Sequence, residues 1–308
     1  MNGKVRHSLR LTAMLYLLDY GAGNIQSLAN SLTKLGYTYE WVREPSDISK
    51  ADKLLFPGVG SFASAMDALH AKGYVEPLRA YIQSGKPLMG ICVGMQVLFE
   101  GSDESPGVQG LGIVPARVGR FATQDAFGRK AVPHMGWSLA NVVEWDGCAD
   151  QRHELAKSYG MHDANPSHYY FVHSYRVAWD ANVAEWALTT TQYGNEIFVS
   201  SVQHANVFAT QFHPEKSGQA GLDLLAAWLQ LEHVEPTTRV GRPVSSTEHM
   251  PTRRIVACLD VRSNDAGDLV VTKGESYDVR ERGEQDAGAS HVRNMGKPVA
   301  VSYTHLRA

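Results

Sequence analysis

Apolar positions in the first third of the chain form short runs that alternate with stretches of helical spacing. Apolar runs that end at Gly, Pro or Asp predict buried strands, and apolar residues spaced three and four apart predict helices. Strands that alternate with helices are typical of an α/β fold around a mostly parallel sheet. The predicted strands cover 14–18, 41–42, 53–56 and 87–91, and the predicted helices cover 27–35, 63–70, 74–84 and 95–100.

The pattern changes after position 114, where the apolar runs become shorter and often end in Gly, Asn or Asp. Such runs predict strands that are antiparallel in part. The stretch 233–251 is rich in Pro, Ser and Thr and is typical of a linker, and an apolar strand is predicted after it at 254–261. The other predicted elements are strands at 169–172, 187–191, 197–202 and 207–212 and a helix at 222–231.

The composition is that of an average globular protein. The 308 residues suggest about two domains, and the 44% hydrophobic and 20% charged residues exclude wholesale disorder. A net charge of −3 gives no reason to expect a nucleic-acid partner, and no apolar run reaches the ~18 residues of a membrane span. The scattered cysteines, Cys92, Cys148 and Cys258, do not form a disulfide framework and indicate a reducing compartment.

The N-terminal segment 1–13 carries basic side chains and no acidic ones. We interpret it as an extension outside the fold, with Met14 as the natural start. The segment also has some likeness to a transit peptide. The sequence therefore predicts a cytoplasmic protein, with an organelle as the alternative.

A cysteine between two glycines marks the first chemical site. Gly90, Cys92 and Gly94 lie between an apolar strand and a helix, which is the pattern of a nucleophile elbow. The tight turn places the thiol at a helix N-terminus, where the helix dipole favours the thiolate. The backbone amide of Val93 would then point at an oxyanion formed beside the sulfur. The alternative for this residue is a structural cysteine buried in a strand.

A histidine and a glutamate two residues apart supply a base and its orienting group. Alternate residues of an extended segment point the same way, so Glu215 can hold the ring of His213. A glycine loop at 56–60 adds a second candidate oxyanion donor. Glycines on both sides of Val59 let this peptide turn its amide toward the thiol. The alternatives are an incidental surface pair and a plain strand-to-helix turn.

These residues resemble the class I, or triad, glutamine amidotransferases. The motifs around them are similar to the glutaminase half of imidazole glycerol phosphate synthases, over about 14–231. One departure is Ser138, where the resemblance leads us to expect asparagine. The matching motifs are LLDYGAGN (17–24), FPGVGSF (56–62), GICVGMQVLFEGSDE (90–104), PHMGW (133–137), FVHSY (171–175) and QFHPEKS (211–217).

The resemblance implies a role for each matching residue. Cys92 would attack the carboxamide of glutamine, His213 would transfer the proton, and Glu215 would orient His213. The amides of Val59 and Val93 would form the oxyanion hole. No cofactor is implied, and no cluster has metal-ligand spacing. The residues that match glutamine-binding positions are Gly60, Gln96, Glu104, Ser174 and Tyr175, and those that match the interface with the cyclase are Asn24 and Lys216.

The chain after the linker resembles the first strand and loop of the cyclase half, a (β/α)₈ barrel. Asp260 matches its acid–base carboxylate and Lys273 the neighbouring lysine. The resemblance ends near 299, so we expect an incomplete barrel unit without cyclase activity, with the last nine or so residues foreign to the family. The predicted domains are the extension 1–13, the amidotransferase domain 14–232, the linker 233–251 and the barrel start 252–308.

The resemblance thus implies a glutaminase that takes glutamine as substrate and supplies ammonia to a cyclase barrel, in the same chain or a separate one. That cyclase makes imidazole glycerol phosphate and an aminoimidazole carboxamide ribonucleotide in histidine biosynthesis. Two alternatives remain open. The chain could be the glutaminase subunit of another amidotransferase, such as anthranilate synthase or pyridoxal-phosphate synthase, or it could be an inactive fragment.

Overall fold

The protein is represented by a computed structural model. The chain divides into two compact units, Met1–Pro251 and Thr252–Ala308. The structure describes residues 13–21, 25–126, 128–145, 151–161, 167–180, 182–231, 241–242, 260–263 and 269–272.

The first part of the larger unit alternates strands with helices, as the sequence predicts. The strands are built from apolar residues that are almost completely buried, and the helices place one apolar face against them. In chain order the elements are β1 (Leu15–Leu18), α1 (Gln26–Lys34), β2 (Glu40–Val42), α2 (Pro45–Lys50), β3 (Lys53–Gly58), α3 (Phe62–Ala71), α4 (Val75–Gln83), β4 (Leu88–Cys92) and α5 (Val93–Gln96).

The second part consists mainly of strands. They are β5 (Phe99–Ser102), β6 (Ser105–Gln109), β7 (Val114–Arg120), β8 (Gln124–Asp125), β9 (Gly128–Arg129), β10 (His134–Leu139), β11 (Asn141–Val142) and β12 (Glu144–Trp145). After α6 (Gln151–Ser158) come β13 (His168–His173), β14 (Tyr175–Ala178), β15 (Ala187–Tyr193), β16 (Glu196–His204) and β17 (Val207–Thr210). A 3₁₀ turn at Pro214–Lys216 leads into α7 (Gly218–Gln230), and β18 (Gly241–Arg242) follows.

One large mixed sheet organises this unit. Its order is β2-β1-β3-β4-β17-β16-β14-β7-β5-β6, and β15 pairs with β16 and β11. The strands from β2 to β17 are parallel, and β16 and β14 continue the sheet antiparallel. The carboxyl ends of β3, β4 and β17 therefore lie side by side, which is where ligand sites form in open α/β sheets. A separate antiparallel pair, β10 and β13, packs beside it.

The α/β class is confirmed, and one predicted helix is wrong. The helix expected at 95–100 begins earlier, at Val93, and ends at Gln96. Phe99 and Glu100 belong instead to β5, which pairs with β7 and β6. β5, β6 and β7 follow one another along the chain, and their pairing overrides the helical spacing of the apolar residues at 95–100. The short helix α2 was also not predicted.

The predicted linker contains a short strand, since β18 pairs antiparallel with β12. In the smaller unit, β19 (Asp260–Ser263) pairs antiparallel with β20 (Leu269–Thr272). Most of the strand predicted at 254–261 lies outside the described residues. Among the described residues, no helix is long and apolar enough to cross a membrane.

Candidate active site

Cys92 ends β4 in a backbone conformation that side chains rarely adopt. Its φ is 55° and its ψ is −110°, and its side chain is buried. The turn needs a glycine two residues later, because a Cβ on Gly94 would overlap the carbonyl oxygen of Phe56. A Cβ on Gly58 would in turn overlap the amide of Gly94. The elbow thus fits only because β3 and α5 touch backbone to backbone, and this fixes the direction of the thiol.

His213 and Glu215 form a buried pair after β17, and a 3₁₀ turn at Pro214–Lys216 brings them together instead of the predicted extended segment. Nδ1 of His213 lies 2.8 Å from Oε1 of Glu215, and both side chains are almost inaccessible to solvent. Burial lowers the pKa of His213, but the Cys92 thiol and the Glu215 carboxylate outweigh it and raise that pKa above its ordinary value. Nε2 of His213 makes no hydrogen bond of normal geometry within the described part of the chain, and its interaction is with the Cys92 side chain.

Gln211 contacts the sulfur, and the sequence analysis did not single it out. Its Nε2 lies 3.7 Å from Sγ of Cys92, and its Oε1 accepts a hydrogen bond of 2.9 Å from Nε2 of Gln96. Gln211 and His213 are two residues apart in an extended segment, and the same spacing rule that paired His213 with Glu215 could have indicated that both face the thiol.

Gln96 lies at the end of α5 and is buried. Its Nε2 also donates to the carbonyl oxygen of Tyr175, at 3.1 Å. The structure therefore joins two residues that match glutamine-binding positions, Gln96 and Tyr175, to the sulfur through Gln211.

The glycine loop follows β3 and lies next to the elbow. Gly60 has a φ of 98°, a left-handed conformation that suits glycine. Beneath the loop lies Tyr20, whose hydroxyl would be 2.8 Å from a Cβ on Gly58. That hydroxyl is buried and makes no hydrogen bond of normal geometry with the described residues. Burial and the nearby Cys92 raise the pKa of Tyr20, so the phenol stays neutral.

Two further predicted residues are held by the surrounding backbone. Oε2 of Glu104 accepts a hydrogen bond of 2.8 Å from the amide of Phe62, at the first turn of α3, so this carboxylate lies at the far end of the glycine loop. Ser174 separates β13 from β14, and its carbonyl oxygen accepts a hydrogen bond of 3.2 Å from the amide of Phe121.

No cluster of three or more His, Cys, Asp or Glu side chains that could hold a metal occurs in the described residues.

Comparison with known families decides the class. The class-I glutamine amidotransferase family matches residues 16–229. The chain belongs to this family. Imidazole glycerol phosphate synthase subunit HisH of Methanothermobacter thermautotrophicus is 41% identical over 218 residues, which cover 71% of this chain and 98% of that protein.

Longer relatives align with more of this amidotransferase. Imidazole glycerol phosphate synthase hisHF of Emericella nidulans is 48% identical over 291 residues, or 94% of this chain and 50% of that protein. The hisHF protein of Arabidopsis thaliana, named chloroplastic, is 44% identical over 298 residues, or 97% of this chain and 46% of that protein. The chain thus spans about half the length of these relatives.

Solved structures agree on the fold of the amidotransferase. A glutamine amidotransferase crystal structure with 21% identity and a TM-score of 0.50 covers 70% of this chain and 98% of that one. PurLQS from Thermotoga maritima, with 16% identity and a TM-score of 0.50, covers 71% and 98%. At these identities the likeness concerns the fold alone.

The remaining predicted residues lie at the edge of the amidotransferase site or outside the described residues. Lys216 is exposed on the turn that carries Glu215. Asn24 and Lys273 lie outside the described residues. Asp260 opens β19 in the smaller unit, and its side chain is not described.

Proposed function

We propose that this amidotransferase hydrolyses glutamine to glutamate and ammonia through a thioester on Cys92. The observation that carries the proposal is the triad: a buried thiol on the elbow near a buried histidine whose Nδ1 lies 2.8 Å from Oε1 of Glu215. A thiol activated by a neighbouring histidine and oriented by a third group is the arrangement of covalent acyl transfer. The intact geometry favours this function over an inactive fragment.

In the proposed first step, the Cys92 thiolate attacks the carboxamide carbon of glutamine. The carbonyl oxygen becomes an oxyanion, which the amides of Val93 and Val59 stabilise. His213, protonated at Nε2, then gives that proton to the leaving nitrogen, and ammonia departs as the tetrahedral adduct collapses to the thioester. The raised pKa of His213 suits a histidine that holds a proton while the thiolate is present.

In the second step, water attacks the thioester. His213 accepts a proton from the water at Nε2, and Glu215 stabilises the resulting imidazolium through Nδ1. The second oxyanion collapses and the C–S bond breaks, which returns the Cys92 thiolate beside the protonated His213, the starting state. The new carboxyl group of the product loses its proton to the solvent, and glutamate leaves. The sum of both steps is glutamine plus water to glutamate plus ammonia.

We further propose that glutamine lies between Gln96 and the glycine loop, with its α-amino group toward Glu104. Gly60, Ser174 and Tyr175 would complete the site. The carboxylate of Glu104 accepts a hydrogen bond from the backbone amide of Phe62, so this carboxylate is held in place before glutamine binds.

A cyclase barrel is the proposed consumer of the ammonia, and the reaction catalysed with it is that of imidazole glycerol phosphate synthase in histidine biosynthesis. Support comes from the hisHF and HisH relatives and from an exposed apolar strip on β10, where Met135 is 64% and Trp137 is 41% exposed. Lys216 is exposed beside the triad and would reach the same partner. A nucleophilic thiol favours a reducing compartment, for which we propose the cytoplasm.

Glutamate release by the full chain tests the glutaminase proposal. It is measured with Cys92→Ala as the inactive variant, with Cys148→Ala as the matched control, and with and without a complete cyclase barrel from a relative. We expect turnover that depends on Cys92 and not on Cys148. Equal rates for the natural chain and Cys92→Ala, even with the barrel present, would refute the proposal.

A further inference from the structure

A chain of hydrogen bonds leads away from the thiol through Gln211. Beyond Gln211 and Gln96 it reaches the carbonyl oxygen of Tyr175, which also accepts from Nδ1 of His173 at 2.7 Å. Nε2 of His173 lies 3.1 Å from Nδ1 of His134, its partner across β10 and β13. This series of hydrogen bonds ends on β10, where Nε2 of His134 lies 3.0 Å from Oγ of Ser138. None of these histidine contacts is used by the proposed chemistry.

The direction of each hydrogen bond follows from the carbonyl. The carbonyl oxygen of Tyr175 can only accept, so Nδ1 of His173 carries the proton. Nε2 of a neutral His173 must then accept, which places the proton of His134 on Nδ1. Nε2 of His134 therefore accepts from the hydroxyl of Ser138. Each ring is locked into one tautomer, and every polar atom of the pair has a partner.

Both rings are buried and neutral. Burial lowers the pKa of His134 and of His173 far below the ordinary value. The rings of Phe171 and Phe198 lie against them, with His134 stacked on Phe171 at 5.1 Å. A neutral pair with all its hydrogen bonds committed does not carry protons to or from the thiol; it can only hold its neighbours in place.

We propose that His173 and His134 are positioning residues that hold the Cys92 nucleophile through Tyr175, Gln96 and Gln211. With Nδ1–H of His173 fixing the Tyr175 carbonyl, the amide of Gln96 has one favourable orientation, and it presents its second N–H to Oε1 of Gln211. That bond turns the amide of Gln211 so that its nitrogen, not its oxygen, faces Sγ. An N–H donor toward sulfur stabilises the thiolate, whereas a reversed amide would present an oxygen and repel it.

The last hydrogen bond of this series explains how serine can replace the expected asparagine at position 138. Asparagine, the residue that the family motif leads us to expect, offers an N–H, and serine offers an O–H. Either group can donate to Nε2 of His134. Ser138 and the exposed Trp137 are neighbours on β10, so the same strand ends the chain and forms the outer apolar strip.

The inference rests on the proposed function for its meaning, but its test does not require turnover. The test is the rate at which iodoacetamide alkylates Cys92 at pH 7 in the full chain, followed on the Cys92 peptide by mass spectrometry. His173→Leu removes the donor to Tyr175, and His173→Asn keeps an N–H at the position of Nδ1. We expect His173→Leu to slow alkylation about fivefold, the effect of losing one hydrogen bond, and His173→Asn to stay within about twofold of the natural chain.

His204→Leu is the matched control, because His204 is another partly buried ring that packs on Trp186 outside this chain of bonds. It should leave the rate unchanged. Gln211→Ala should slow alkylation as much as His173→Leu, and the two changes together should slow it no further, since both act through one N–H.

Three outcomes would overturn the inference: an unchanged rate in His173→Leu, equal slowing in His173→Asn and His173→Leu, or slowing that multiplies in the double variant. A loosened fold would speed alkylation, because it would expose the thiol. If His173→Leu does so, the Gln211→Ala and Ser138→Ala variants decide, and no slowing in either refutes the role. A protein that releases no glutamate even with a complete barrel present, but shows these alkylation rates, would refute the proposed function and leave the inference standing.

Discussion

The buried histidines His134 and His173 should make the fold sensitive to mild acid. His134 has a pKa lowered to about 2 and His173 a pKa lowered to about 3, mainly by burial, against 6.5 when unfolded. Below pH 6.5 the unfolded chain takes up protons at these positions and the folded chain does not, so stability is lost as the pH falls. The window runs from about pH 6.5 down toward the two folded values.

The size of the loss follows from proton linkage. A histidine that is neutral in the fold and titrates normally when unfolded costs about 2 kcal/mol between pH 7 and pH 5, so the pair costs about 4 kcal/mol. This is a large part of the 5–15 kcal/mol of a typical domain. The charged groups near the pair are Lys130, Arg176 and His213, and their positive charge opposes protonation of either ring.

His213 acts in the opposite sense. Its raised pKa means that it contributes stability that is complete below the unfolded value and is lost as the pH rises toward the folded value. A simple comparison of two pH values would mix this term with the others. The comparison must therefore be made between the natural chain and a variant that lacks only His134 and His173.

Urea unfolding followed by tryptophan fluorescence at pH 7 and pH 5 provides the measurement. The double variant His134→Asn with His173→Asn keeps an N–H at each Nδ1 position but does not titrate. We expect the natural chain to lose about 4 kcal/mol more than this variant between the two pH values, and each single variant to account for about half. Losses that agree within about 1 kcal/mol would show that the rings are not held neutral, and the assigned tautomers would be wrong.

Three more substitutions test single contacts by urea unfolding. Lys53→Met removes a buried ammonium that donates to three carbonyl oxygens at the end of α7, and should cost about 2–4 kcal/mol; a loss below 1 kcal/mol would contradict it. Gly94→Ala should cost at least ~2 kcal/mol or prevent folding, because its Cβ would overlap Phe56, and a neutral result would mean that the elbow can shift. Tyr20→Phe removes a buried hydroxyl that makes no hydrogen bond of normal geometry with the described residues, so stability should be unchanged or rise by about 1 kcal/mol; a clear loss would show that its contact with the backbone of Val59 is stabilising.

The elbow and the base were predictable because local spacing encodes them. The glycine pattern around Cys92 is local in the sequence, although Gly94 is required by contact with β3. The two-residue separation of His213 and Glu215 does bring them together, but through a 3₁₀ turn and not through the predicted extended chain. The catalytic roles themselves remain predictions. The helix expected at 95–100 failed because strand pairing with β7, and not the spacing of apolar residues, decides the conformation of Phe99.

The hydrogen bonds behind the thiol could not be predicted in the same way. His134 and His173 meet only because β10 and β13 pair in one register, and a shift of one strand by one residue would turn one of the two rings to the other face. The sequence contains 13 histidines, so a histidine in a strand is weak evidence for any role. Burial, which makes the pair neutral and fixes its tautomers, is a property of the packed core and not of either segment.

The fold brings two supports to the nucleophile from different parts of the sheet. The parallel strands β3, β4 and β17 carry the elbow, the glycine loop and His213 at their carboxyl ends. The strands β10, β13 and β14 hold Gln211 through the hydrogen bonds that lead from His173 to Gln96. A partner that docks on the exposed face of β10 would press on the strand that carries His134, and one that touches the glycine loop would act on Val59. Because the first route ends at the sulfur and the second at the proposed oxyanion hole, loss of the first should slow alkylation of Cys92, and loss of the second should slow turnover while the thiol stays reactive.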